Sequence, residues 1–398
     1  MRASGRPPLL RDPNLHVVFG VTLMAMLGVA SVTPAFPQIA EQLAVTPQSV
    51  GLLISVFTLP GAILTPFLGV LADRYGRKRI LVPSLFLFGI AGFACGFART
   101  FELLVGLRLL QGLGGAALGS MNVTIIGDLY EGSRRTTAFG YNASVLSVGT
   151  ALYPAIGGAL AVIGWFVPFF LPILAVPVGL FVLLVLKSPE PTVRAGLGEY
   201  LRSTLRMFRN REVLALFSAS VVTFILIYGA YLSYLPFLLV GAFGFSSLWI
   251  GLVMATTSIA TAVASFYLGR LARAYGEGRL VKFGFVLYVV AFAAIPFATS
   301  LWGLIALILV FGAANGINIP SILTMVAGYP PPESRAAFMS VNGMLLRLGQ
   351  TLGPVAAGAA FTLRGIDGAF LASAGLGAAT LLLLLACAPD RALHSRKP

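Results

Sequence analysis

The feature that most constrains this chain is a succession of about twelve apolar runs, each long enough to cross a bilayer. The chain is 58% hydrophobic and only 10% charged, a composition that does not fit a soluble domain. Because backbone groups in lipid must satisfy one another, all runs are predicted to be helices, making an all-α integral membrane protein. The predicted spans are 15–37, 49–72, 80–98, 101–126, 136–163, 165–187, 213–240, 247–269, 280–298, 301–326, 335–361 and 367–388.

The formal net charge of +14 is explained by membrane topology, and we expect no nucleic-acid partner. Lys and Arg concentrate in the loops on the side of the N-terminus, whereas the opposite side keeps only Arg99 and Arg364. The positive-inside rule then places both termini in the cytoplasm. The sequence therefore predicts a multi-pass protein of the inner (cytoplasmic) membrane, surrounded by the lipid bilayer.

The sequence lacks the motifs expected of an enzyme or a metal site. Cys95 and Cys387 fall in apolar spans, where a small buried hydrophobe is the expected role. His16 and His394 lie far apart and outside the membrane core, so no metal-ligand cluster is formed. There is no Walker sequence, and the glycine-rich run 112–119 follows no strand. We expect no catalytic activity, no cofactor and no metal.

An internal repeat relates the two ends of the chain. GLLISVFTLPGAILTPFLGVLADRYG at 51–76 aligns with GLVMATTSIATAVASFYLGRLARAYG at 251–276, at an offset of 200 residues. The same offset pairs Asn142 with Asn342. Such repeats indicate two six-helix bundles in the same orientation, with a substrate site between them.

The predicted units are an N-terminal bundle over 1–187 and a C-terminal bundle over 212–398. The linker 188–211 carries leucines at helical spacing and is expected to lie on the cytoplasmic surface as an amphipathic helix.

Three motifs resemble those of the major facilitator superfamily (MFS), and the resemblance covers essentially the whole chain. GVLADRYGRKR, at 69–79, is similar to the signature between the second and third helices, with a weaker copy at 269–276. RLLQGLGGA, at 108–116, resembles the fourth-helix motif. GTALYPAIGG, at 149–158, resembles the fifth-helix motif of the drug:proton antiporter (multidrug efflux) branch. The resemblance implies the twelve-helix MFS fold and proton-coupled transport.

The resemblance also implies a conformational gate at the first motif. In the family pattern Asp73, Arg77 and Asp128 form a charge network between the second and fourth helices that holds the outward-open state. The alternative is that the arginines only enforce topology. The predicted gate residues are Gly69, Asp73, Arg74, Gly76, Arg77 and Asp128. Close packing of the fifth and eleventh helices against the other half is predicted at Gly149, Pro154, Gly157, Gly158, Gly353 and Pro354.

Two arginines fall inside predicted spans, where a charge costs free energy and usually has a functional role. For Arg108, with Gln111, the resemblance implies a role in proton movement; the alternative is an arginine that snorkels outward. Arg347 lies near the midplane of the eleventh span, and no Asp or Glu lies at its depth. Its charge must be met by carbonyls, amides and water, or by an anionic ligand. We assign proton or substrate coupling to these three residues.

Sparse polar side chains and an aromatic stripe on the seventh helix suit a cavity for a bulky amphiphile. Helix packing is the alternative role for each of them. The predicted substrate-binding residues are Ser31, Gln38, Asn122, Asn142, Tyr228, Tyr231, Asn315, Asn318 and Gln350.

The sequence thus predicts a secondary transporter, an efflux pump for amphiphilic small molecules with protons as the coupling ion, acting as a monomer by alternating access. One alternative is a transporter or flippase of an anionic amphiphile, lipid or metabolite that uses Arg347. Another is a non-transporting membrane assembly or sensor protein on the same scaffold.

Overall fold

Membrane-length helices account for nearly all of the part of the chain that the computed structural model describes, residues 8–187, 210–329 and 335–387. Eleven segments of it are long and apolar enough to cross a membrane, and the last one, Val341–Cys387, contains two helices. The predicted linker helix falls almost entirely on 188–209, outside the described residues. The twelve helices are α1 (Pro13–Ala30, continued by Phe36–Gln42), α2 (Pro47–Tyr75), α3 (Arg77–Cys95), α4 (Phe101–Leu129), α5 (Gly132–Ala161), α6 (Ala175–Val185, after 3-10 turns over Val167–Leu174), α7 (Arg211–Phe243), α8 (Ser247–Tyr275), α9 (Glu277–Ala294), α10 (Leu301–Gly328), α11 (335–363) and α12 (366–387).

The boundary between α11 and α12 is set by two non-helical residues. Gly365 has a φ of 61°, a left-handed conformation that glycine adopts without strain, and Arg364 has a φ of −149°. Gly368 packs against Ala360, whereas in a continuous helix residues eight apart would be separated by about 12 Å. The chain therefore turns sharply here, and the predicted division into an eleventh and a twelfth span is confirmed.

Buried apolar side chains form two clusters, one for each half of the chain. The first contains Leu15 to Leu186 and the second Val213 to Leu384. Each half thus has its own core, so the surface between the halves is a boundary between two packed bodies.

The turns after α2 and α8 are built alike. Gly76 has a φ of 94° and its N–H donates to the carbonyl of Ala72, and Gly276 has a φ of 79° and donates to Ala272. A positive φ strains any residue with a Cβ, which explains a glycine at both positions of the repeat. We call the membrane side with these two turns the basic face, and the other side the opposite face.

Candidate transport path and intramembrane charges

The two halves are held together by hydroxyl groups where α2 meets α11. The Ser55 hydroxyl donates to the carbonyl of Thr351 at 2.7 Å, and the hydroxyls of Thr58 and Thr351 lie 2.9 Å apart. Toward the opposite face, a Cβ on Gly51 would touch Pro354. Pro354 of the C-terminal half thus packs against α2 of the N-terminal half.

Small residues bring α5 against α8 in the same manner. Gly158 lies against the Ser247 carbonyl, and Gly251 lies against the Pro154 carbonyl, so closely that a Cβ at either glycine would overlap backbone. These α2–α11 and α5–α8 contacts lie in the half of the membrane near the opposite face.

The other glycines predicted at the boundary pack within their own halves. Gly149 faces Leu23 and Gly157 faces Ser31, both on α1, while Gly353 packs on α7 at Gly229. The prediction that these three meet the other half is wrong. Successive helical residues point about 100° apart, so Gly157 and Gly158 contact different neighbours.

Toward the basic face, α5 and α8 separate to leave a cleft of about 320 Å³. Polar hydroxyls lie on both of its walls, unusual for the surface of helices in a membrane. The cleft is lined by Ser147, Thr150, Ser258, Thr261, Ala262, Ser265 and Phe266. The halves are thus in contact near the opposite face and separated between these helices near the basic face.

Arg108 lies entirely inside the N-terminal bundle, with no exposed surface. Its guanidinium donates to the carbonyls of Gly28 on α1 and Leu53 on α2, at 2.8 and 3.2 Å, and to Gln111 Oε1 at 2.8 Å. The Nη2 atom of Arg108 and the Nε2 atom of Gln111 are buried and have no hydrogen-bond partner among the described residues. Two aromatic rings lie near the guanidinium. Its Cζ atom is 4.6 Å from the ring centroid of Phe57 and 5.8 Å from that of Phe169. Arg108 therefore does not snorkel; it joins three helices.

Arg347 extends from α11 of the C-terminal half to the N-terminal half. A Cβ on Gly61 of α2 would lie 2.8 Å from its Cδ, and Gly119 of α4 lies against its Nη2. Tyr228 of α7 lies near its guanidinium. Within the described ranges the guanidinium has neither a hydrogen-bond acceptor nor a carboxylate partner.

The predicted gate residues lie near the basic-face ends of α2, α3 and α4. Arg77 at the start of α3 forms a salt bridge with Asp128 at the end of α4, with Nε to Oδ2 at 3.0 Å. Gly69 has open space around it and Arg74 is exposed over the ring of its neighbour. The side chain of Asp73 is outside the described structure, so the predicted network is represented here by its α3–α4 pair.

The polar candidates of the N-terminal half pack between its own helices. The Thr22 hydroxyl donates to Asn142 Oδ1 at 2.6 Å and accepts from Asn122 Nδ2 at 3.0 Å, which ties α1, α5 and α4 together. Ser31 is fully buried at the α1–α5 contact. Gln38 is half-buried, and its Oε1 has no partner.

Two of the three candidates on α10 and α11 point away from the boundary between the halves. Asn315 accepts a hydrogen bond from Tyr288 of α9 at 2.6 Å, and Asn318 is fully buried against Gly284 of the same helix. Their predicted substrate contact is replaced by α9–α10 packing. Gln350, one turn from Arg347, is half-buried and makes no hydrogen bond with any described residue.

A π-helical segment over Ile227–Tyr234 rearranges the aromatic residues of α7. The Ser233 hydroxyl donates to the Tyr228 carbonyl five residues earlier, at 2.7 Å. Because a π turn contains more residues than an α turn, the 3.6-residue stripe expected from the sequence is broken. Tyr228 stays half-buried, whereas Tyr231 turns into the C-terminal core and bonds Thr257 at 2.7 Å.

A tyrosine–carboxylate contact at the basic face of each half was not predicted from the sequence. Tyr130, after α4, donates to Asp12 at the start of α1 at 2.9 Å, and Tyr329, after α10, donates to Glu212 at the start of α7. The offset of 200 residues relates the two acids, but the two tyrosines are 199 residues apart, which hid the pairing. Burial first, and then the hydrogen bond and the charge of Asp12, raise the pKa of Tyr130 above its ordinary value of 10, against the opposing effect of Arg134.

This architecture defines a class: membrane transporters built from two six-helix repeats that enclose a path between them. Solved structures share the fold over nearly the whole chain. The nucleoside transporter NupG aligns with a TM-score of 0.79 at 15% identity, covering 94% of this chain and 99% of that one. The human organic anion transporter MFSD10 (TETRAN) aligns with a TM-score of 0.72 at 22% identity, covering 95% and 100%.

The chain belongs to the Major Facilitator Superfamily, whose model matches residues 18–255 and 238–398. Its relatives include exporters and drug-resistance proteins. The "Bacillibactin exporter" of Bacillus subtilis (strain 168) is 27% identical over 86% of this chain and 88% of that protein. The "Quinolone resistance protein NorA" of Staphylococcus aureus is 23% identical over 94% and 96%. The family and these relatives are transporters.

Proposed function

We propose that this protein exports amphiphilic small molecules by alternating access, driven by proton antiport. The observation that carries the proposal is the arrangement of the two helix pairs that join the halves, α2 with α11 and α5 with α8. Contact near the opposite face, combined with separation of α5 from α8 near the basic face, is what one of two alternating states requires. With the basic face in the cytoplasm, as the arginine distribution favours, this is an inward-open state.

Export and an amphiphilic substrate are supported by the relatives, which are named as a bacillibactin exporter and as drug-resistance proteins. Proton coupling is supported by the fifth-helix motif and by the placement of Arg108 with Gln111 between three helices. The Arg77–Asp128 pair at the basic face is positioned to change when the halves close there. We further propose a monomer with both termini in the cytoplasm.

Reconstitution in proteoliposomes with an imposed pH gradient tests the proposal. Gradient-dependent movement of ethidium is expected for the wild type and for the control Gly106→Ala, since Gly106 has no neighbour that a Cβ would touch. Asp73→Asn and Arg108→Ala are expected to reduce the initial rate about tenfold or more. Full transport in both would contradict the gate and coupling assignments. Absence of any solute movement in the wild type would favour an assembly or sensor role.

A further inference from the structure

Arg347 is a cation at mid-membrane depth whose charge is not balanced by any described residue. It lies 12 residues into α11, so its Cα is about 18 Å along a helix that crosses a core of about 30 Å. The described carboxylates are found at helix ends, including Asp12, Asp128 and Glu212. An isolated charge at this depth is energetically costly, and such charges usually mark a substrate or ion pathway.

Resting on the transport function proposed above, we propose that Arg347 recognises an anionic group, a carboxylate or a phosphate, carried by a cargo with an apolar or aromatic body. A guanidinium presents several N–H donors in a planar fork that matches the oxygens of these groups. The missing counter-charge is supplied by the cargo and leaves with it.

Two glycines of the other half seat this side chain. Gly61 and Gly119 have no Cβ, and each lies where a Cβ would crowd the Arg347 side chain. The guanidinium therefore rests against α2 and α4 while its Cα belongs to α11. An anion bound to it would touch both halves at once, so its arrival and departure would act directly on the contact that must change during transport.

The residues near Arg347 include aromatic rings and an amide that could contact the rest of the cargo. Phe224 and Tyr228 of α7 are half-buried, and their ring centroids lie 6.1 Å apart. Gln350, one turn along α11 and so on the same side of the helix, has an amide without a hydrogen-bond partner in the described chain, which can donate to a polar group of the cargo. An aromatic pair beside a guanidinium and an amide favours an aryl carboxylate or a similar amphiphilic anion.

Equilibrium dialysis with the whole protein in phosphatidylcholine nanodiscs tests the assignment, with 2-naphthoate as the anionic probe and 2-naphthalenemethanol as its neutral counterpart. The wild type is expected to bind naphthoate about tenfold or more tightly than the alcohol. Arg347→Gln should abolish this preference and Arg347→Lys should retain part of it. Equal affinities in the wild type, or an unchanged preference in Arg347→Gln, would overturn the proposal.

The glycine seats provide a second measurement that leaves the arginine in place. A Cβ at Gly61 would lie 2.8 Å from the Cδ of Arg347 and 3.1 Å from its Nε. Gly61→Ala should therefore displace the guanidinium and weaken naphthoate binding severalfold, with little change for the alcohol. The matched control is Gly106→Ala, which should bind both probes as the wild type does. A Gly61→Ala protein with unchanged naphthoate affinity would contradict this seating.

Two further experiments distinguish a lipid headgroup from a soluble cargo, and the anion-binding proposal from the proposed transport function. At a salt concentration that screens the charge of the lipid surface, naphthoate binding is measured in phosphatidylcholine and in phosphatidylglycerol nanodiscs. Loss of binding only in phosphatidylglycerol would mean that the lipid headgroup occupies the site and would rule out a soluble cargo; equal binding in both supports the soluble cargo. Ethidium transport that persists without any preference for naphthoate would overturn this inference and leave the proposed function standing. Naphthoate binding through Arg347 without movement of any solute would overturn the proposed function alone.

Discussion

Each half of the molecule places one arginine inside the membrane, but the two arginines have opposite surroundings. Arg108 is enclosed by its own bundle and donates to Gly28, Leu53 and Gln111. Arg347 leaves its bundle, rests on Gly61 and Gly119 of the other half, and has no acceptor among the described residues. The internal repeat gives neither a counterpart, since residue 308 is Ile and residue 147 is Ser.

The difference shows how position decides what a buried charge can do. A cation within one packed body has fixed acceptors, so it stabilises that body. A cation between two bodies keeps its donors available to a ligand and changes its neighbours whenever the bodies move. Any role of Arg108 in coupling is therefore expected to act through the packing of the N-terminal half, whereas the role proposed for Arg347 acts directly between the halves.

The largest expected effect tests the first side of this comparison. Arg108→Met should lower the free energy of unfolding by about 2 to 4 kcal/mol, because three acceptors lose their donor and the Phe57 ring loses its cation. Thermal unfolding of the purified protein, followed by near-ultraviolet circular dichroism, measures the change. A melting temperature equal to that of the wild type would show that the hydrogen bonds of Arg108 do not hold α1, α2 and α4 together.

The second prediction is that replacing the other arginine does not lower the free energy of unfolding. Arg347→Met removes an unbalanced charge and keeps most of the side-chain volume, so stability should be unchanged or rise by about 1 kcal/mol. The same unfolding assay, run beside Arg108→Met, makes the two variants controls for each other. A loss in Arg347→Met as large as that in Arg108→Met would mean that Arg347 is a structural residue, and the comparison would fail.

Most of the fold was predictable because hydrophobic length and internal repetition are properties of sequence alone. The twelve spans and the equivalence of Asn142 with Asn342 came from these two signals. In the structure both asparagines bond a hydroxyl on the first helix of their half, Thr22 in one and Ser220 in the other. The charge imbalance at Arg347 was also readable, since it needs only a helix register and a count of acids.

The finer details of the site were not predictable, for reasons of geometry. A π segment in α7 turned Tyr231 into the core, and sequence periodicity has no means of detecting it. Which of two adjacent glycines faces the other half depends on the rotation of α5 about its axis. The role of Gly61 became evident only when an arginine far away in the chain was found beside it.

The smallest expected effect concerns a feature that the halves share, the tyrosine–carboxylate contact at the basic face. Tyr130→Phe removes the bond to Asp12 and should cost about 1 kcal/mol at neutral pH. The folded protein raises the pKa of Tyr130 above the value of 10 that it has when unfolded. Its contribution is therefore fully present below pH 10 and is lost as the pH rises beyond it.

Melting temperatures of the wild type and Tyr130→Phe should accordingly differ by a constant amount from pH 7 to about 9 and converge at higher pH. Tyr329→Phe, at the equivalent place in the C-terminal half, is the matched comparison. If only one of the two variants is destabilised at neutral pH, the contact is not a common device of the repeat. A gap between the wild type and Tyr130→Phe that widens above pH 10 would contradict the sign of the pKa shift.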